Sequence, residues 1–110
     1  MARGQQAGIP FAVAVSHATS AVALKAASTG TAQVNYITDI AGSSDKAGAL
    51  LTVKQGSTTI WEVQLASTAA GINAFSHSFS EPLSSAVGAT VSVTVDGTSV
   101  CKANIAGFSL

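Results

Sequence analysis

Charge is what this 110-residue chain has least of. Lys, Arg, Asp and Glu make up 9% of it, against about 25% in a typical soluble domain. Five basic and five acidic residues cancel to a formal net charge of zero. Arg3, Lys25, Lys46, Lys54 and Lys102 are scattered. They form no cluster that could displace counterions from a nucleic acid or hold an anionic membrane surface. No apolar run approaches the roughly 20 residues of a membrane-spanning helix. The stretch "FAVAV" is too short for a secretory leader, and an alternating pattern begins there. Cys101 is the single cysteine, so an internal disulfide is excluded and folding in a reducing compartment is expected. In "TSVCKANI" it alternates with Ser99, Ala103 and Ile105, the pattern of a small buried hydrophobe. A reactive thiol would need a nearby base or a positive field, and alternation points Lys102 the other way.

Catalytic patterns are missing too. His17 and His77 lie far apart in the chain, in no recognised metal-ligand spacing. His77 alternates with Phe75 and Phe79 in "NAFSHSFSEP", which predicts a half-buried, hydrogen-bonded histidine. Paired carboxylates would have to come from Asp39, Asp45, Glu62, Glu81 and Asp96, and no two are placed to face one cleft. No Gly-x-Ser-x-Gly elbow and no phosphate-binding loop appears. The chain reads as a non-enzyme with no cofactor and no metal.

What is present is alternation. "LLTVKQGSTTIWEVQL" is two alternating runs around a Gln55-Gly56-Ser57 turn. Trp61, Val63 and Leu65 share one face, and Ile60, Glu62 and Gln64 the other, the two-residue period of a half-buried strand. In "TVSVTVDGTSVCKA", Val91, Val93 and Val95 line one face, and Asp96-Gly97 is expected to make a tight hairpin turn. Eight strands are predicted at about 11–16, 20–27, 32–40, 48–54, 59–65, 73–80, 90–95 and 99–108. One helical turn is expected within 66–72. Residues 82–89 are expected to loop and return Leu83 and Val87 to the core. The predicted core comprises Trp61, Val63, Leu65, Val91, Val93, Val95 and Phe108. One domain of this length buries enough surface to need no disulfide or metal staple. The fold class is all-β, a single-domain antiparallel β-sandwich best matched by an eight-strand jelly roll, with an immunoglobulin-like sandwich second. Residues 1–10 read as an N-terminal arm and 11–110 as the sandwich. Ile9 and Phe11 are the arm's candidate anchors on a neighbouring subunit or a capsid.

The segments "SSDKAGALLTVKQG", "TTIWEVQL", "SSAVGATVSVTV" and "VCKANIAGF" follow one another as a loop-entered strand, its hairpin partner, a Gly-containing loop with a Val-rich strand, and a closing strand. Over residues 32–108 this texture resembles the capsid decoration (cement) proteins of tailed bacteriophages, of the small jelly-roll type. The resemblance implies a homotrimer on the outer capsid surface of a virion, made in the host cytoplasm, with the major capsid protein as partner. No capsid-contact residue carries over from it. A competing reading is a carbohydrate- or receptor-binding module of a phage tail or fibre, since jelly rolls also serve as lectin domains. A third is a tail-tube or head–tail joining protein.

Overall fold

The computed structural model describes residues 9–26, 33–65 and 72–110. The helical turn expected in 66–72 lies, apart from Ile72, outside the described residues, as does most of the N-terminal arm. Eight strands follow in order: β1 (Ile9–His17), β2 (Ser20–Lys25), β3 (Asn35–Ser44), β4 (Leu50–Gln55), β5 (Thr58–Gln64), β6 (Asn73–Ser84), β7 (Val91–Asp96) and β8 (Cys101–Ser109). They form two four-stranded antiparallel sheets, β1-β8-β3-β6 and β2-β7-β4-β5. First pairs with eighth, second with seventh, third with sixth and fourth with fifth. The chain is thus one long hairpin folded over on itself, and that nesting is the topology of a jelly roll.

The core forms where the inner faces meet. In the second sheet, Ala23, Val93, Val53 and Trp61 make one cross-strand row, and Ala21, Val95, Leu51 and Val63 the next. Burial falls off along each row. The residues on β2, β7 and β4 are at most 1% exposed, whereas Trp61 and Val63 are only half-buried. The reason is position: β5 is an edge strand, flanked on one side only. Ile37, Ile40, Cys101, Ala103 and Ile105 supply the buried side chains of the first sheet. Gly42 leaves room there for Leu51, because a Cβ would lie 2.7 Å from a Leu51 methyl group.

Several expectations are corrected. Asp96-Gly97 is not a hairpin turn. β7 and β8 belong to different sheets, and neither residue has positive φ. Residues 97–100 instead carry the chain across the sandwich, and Gly97 is small because a Cβ would lie 2.8 Å from the Val100 carbonyl oxygen and the Cys101 Cβ. The two-residue hairpin is Gly56-Ser57 between β4 and β5, where Gly56 has φ of 59° and Ser57 does not have positive φ. Those signs match a type II′ turn.

Phe108 is only half-buried and stacks on Tyr36 at 4.9 Å. Alternation from Ile105 gives the inner position to Gly107, where Tyr36 backbone passes too close for any side chain. Ile60 does not stay on the outer face. The ladder shifts between Val53 and Lys54, and the resulting bulge lets Ile60 pack against the core beside Trp61. Val87 is 63% exposed, while Leu83, the last inward residue of β6, packs against the core. Ile9 and Pro10 are part of β1, paired with Ser109 and Phe108.

Candidate assembly surfaces

The outer face of the first sheet is a trough floored by small side chains. Alternation turns Ala12 and Ala14 of β1, Asn104 and Ala106 of β8, Asp39 and Ala41 of β3, and Ser76 and Ser78 of β6 outward around a space of about 310 Å³. A second space of about 320 Å³ continues it past Ser43, Ala74 and Lys102. Asp39 is the acidic residue on this floor. Ser78 and Thr38 hydroxyls donate to it, the latter at 2.9 Å, and hold its carboxyl below the usual carboxylate range. Thr38 is the extra residue of a β-bulge, paired with neither Gly107 nor Ala106.

The second sheet presents aliphatic side chains on its outer face. Val22, Leu24 and Leu50 are 41%, 50% and 44% exposed. Between them Ser92 and Thr52 are buried, and Thr52 donates to Glu62 at 3.1 Å. Exposed aliphatics with small polar fillers, and few charges beyond Glu62 and Lys54, make a face that loses little desolvation energy when covered.

At the β5/β6 side of the sandwich the two edge strands are bridged by aromatic rings. Trp61 stacks on His77 at 5.6 Å and meets Phe79 edge-on at 5.5 Å and Phe75 at 6.1 Å. His77 is exposed, not the half-buried histidine that alternation with Phe75 and Phe79 predicts, because its row ends at the sheet margin. His17 closes β1, and its Nδ1 accepts from the Thr19 N–H at 3.3 Å. Among the described residues no group of three His, Cys, Asp or Glu side chains is placed to hold a metal ion. Cys101 is buried, and burial pushes its thiol pKa up, away from the reactive thiolate.

Asp45 does work that sequence reasoning missed. It sits in the loop after β3 and accepts from the Ser99 hydroxyl and from the N–H groups of Thr98 (2.7 Å) and Ser99 (2.9 Å). These donors hold its carboxyl far below the usual range. The carboxylate thereby clamps the crossing between β7 and β8. A polar cluster does the same at the other end. Ser109 donates to Asn35 at 2.6 Å, Asn35 donates to the Ala89 carbonyl at 2.8 Å, and the Asn35 N–H bonds Ser85 at 3.0 Å. Neither cluster has a sequence signature, since its members come from segments far apart in the chain.

Of the two arm anchors, Ile9 is 65% exposed, and Phe11 packs partly against the core with the Lys25 ammonium 5.8 Å from its ring.

No protein-family model matches this chain, and no curated protein matches it. Among solved structures it is similar to the cryo-EM structure of the giant freshwater prawn Macrobrachium rosenbergii extra small virus (XSV) VLP. The identity is 12% and the TM-score 0.38, over 96% of this chain and 80% of that one.

Proposed function

We propose that this protein is a structural component of a virion, one that decorates a phage capsid and stabilises it by binding neighbouring major capsid subunits. The observation that carries the reading is the pair of outer sheet faces. One is a trough of Ala, Ser and Asn with the carboxylate of Asp39 on its floor, and the other bears Val22, Leu24 and Leu50 among small polar residues and Glu62. Each can be covered by another protein at little desolvation cost, and a permanently free monomer with zero net charge would risk association. The sequence texture over residues 32–108 supports the same reading, and the resemblance it carries implies a place on the capsid exterior. The mechanism is linkage: a protein that binds only the assembled lattice shifts the equilibrium toward that lattice. Several sites joined in one oligomer add avidity.

The test is to mix purified protein with capsids that lack it and count bound copies by electron microscopy. Density over the whole head, with a raised temperature of capsid rupture, is expected. Bare capsids would sink the reading. Density only at one vertex or along the tail would favour a joining or tail protein. Retention on a glycan column by bare-capsid protein would promote the lectin-like alternative.

A further inference from the structure

Among the described residues four strands form the edges of the two sheets: β1 and β6 in the first, β2 and β5 in the second. A free edge presents unpaired N–H and C=O groups, and proteins commonly blunt such edges with charge, proline or bulges. Three of the four are blunted. β6 leaves its partner between Ser78 and Leu83, with Glu81 and Pro82 in the excursion. β5 carries the Ile60 bulge and the exposed Glu62. β2 is six residues long and ends in Lys25.

β1 is different. It is nine residues long, pairs with β8 without a register shift, and contains no Asp, Glu, Lys or Arg. Pro10 lies near its start. A proline nitrogen has no hydrogen to give the ladder, so it is accommodated where it points away from the neighbouring strand. Ala12, Ala14 and Ser16 are in phase with Pro10 and turn their own N–H and C=O groups outward with it.

We infer that the outer edge of β1 is an interface for a second copy of this chain, joined by antiparallel β1–β1 pairing about a two-fold axis at Val13. Val13 is the middle residue of the strand, so this register uses its whole length. Ala12 meets the partner's Ala14, Pro10 the partner's Ser16, Phe11 the partner's Val15 and Ile9 the partner's His17. No like charges meet, and about six backbone hydrogen bonds form. The two four-stranded sheets become one continuous sheet, and the 65% exposed Ile9 gains cover. The contact is isologous and closes on itself, as a two-fold interface must. It does not rest on the decoration reading, and it is a different symmetry from the three-fold form that the resemblance implies.

Light scattering after size exclusion tests it on the full chain. The expected mass is twice the 10.8 kDa of one chain. The double variant Ala12→Lys/Ala14→Lys places like charges opposite each other across the axis, while both side chains stay exposed within one subunit. It should raise the dimer dissociation constant by about tenfold or more. Ala12→Lys/Ala14→Glu places opposite charges there instead. It should restore the dimer, with a dissociation constant that rises with salt where that of the parent chain does not. This second variant also decides the matter if the first fails to fold by circular dichroism. A concentration-independent monomer, a trimer, or a dimer indifferent to both variants overturns the inference. Capsid binding is not read in this experiment. A dimer that ignores capsids would therefore sink the decoration reading and leave the pairing standing.

Discussion

A Cβ at Gly107 would lie 1.9 Å from the Tyr36 carbonyl oxygen, while one at Gly56 would meet nothing within 4 Å. The two glycines therefore answer differently to the same change. Gly107→Ala should cost about 3 kcal/mol or more, because backbone must move at the β3/β8 bulge. Gly56→Ala should cost only about 1 kcal/mol, the strain of its positive φ. Urea unfolding midpoints of the two variants check the ranking, and equal costs would refute the close approach. Asp45 is the other decisive residue. Its carboxyl is depressed in the folded protein by the donors of Ser99 and Thr98. Its contribution to stability is therefore whole above its unfolded pKa of about 3.9 and is lost as pH falls below that value. Asp45→Asn should lower stability at neutral pH and flatten the loss of stability between pH 5 and pH 2. An unchanged acid limb in the variant would mean that the clamp adds nothing.

Within an element, alternation decides which residues matter, and position in the sheet decides how much. Val93 is at the centre of the second sheet and fully buried, with Ala23 and Val53 on either side. Val93→Ala should cost about 1–3 kcal/mol, two methyl groups plus a cavity. Leu24 lies on the outer face of β2 and is half exposed, so Leu24→Ala should cost less than about 1 kcal/mol in the free subunit. Denaturant titration of both separates the inner from the outer phase. The strands themselves were legible, because runs such as Val91 to Val95 and Trp61 to Val63 state their period openly. Bulges were not. The extra residues at Thr38 and Ile60 break the period in one strand only, and a bulge is defined by the partner strand, which local sequence does not name. That is why Ile60 was expected outside. Phe108 is a different case, since plain alternation from Ile105 already turns it outward and the expectation of burial followed its size rather than its phase.

For the whole molecule, the decoration proposal makes a claim about salt. Electrostatic contacts between exposed charges weaken as ionic strength rises. Faces made of Ala12, Ala14, Ala41, Val22 and Leu24 offer few such contacts. Binding to capsids should therefore change by less than about threefold between 50 mM and 500 mM salt, by co-sedimentation. A loss of tenfold or more would place Asp39, Lys102 or other charges at the centre of the contact and overturn the uncharged-face argument.

Composition and period by themselves determined that this is a small all-β protein with a Val-rich core, a buried cysteine and a surface poor in charge. Those properties are local: each is a statement about a residue and its neighbours two positions away. Which strands are neighbours was decided by tertiary structure. The pair Asp96-Gly97 has the composition of a hairpin turn, yet nesting sends β7 and β8 to opposite sheets, because each buries its apolar face against the other layer. The Asp45 clamp and the Asn35, Ser85 and Ser109 cluster exist only once that crossing is made. Likewise, a strand reads the same in sequence whether it lies at the centre of a sheet or at its edge. The half-burial of Trp61, the exposure of His77 and the edge position of β1 among the described strands follow from strand order, which is set by contacts between residues far apart in the chain.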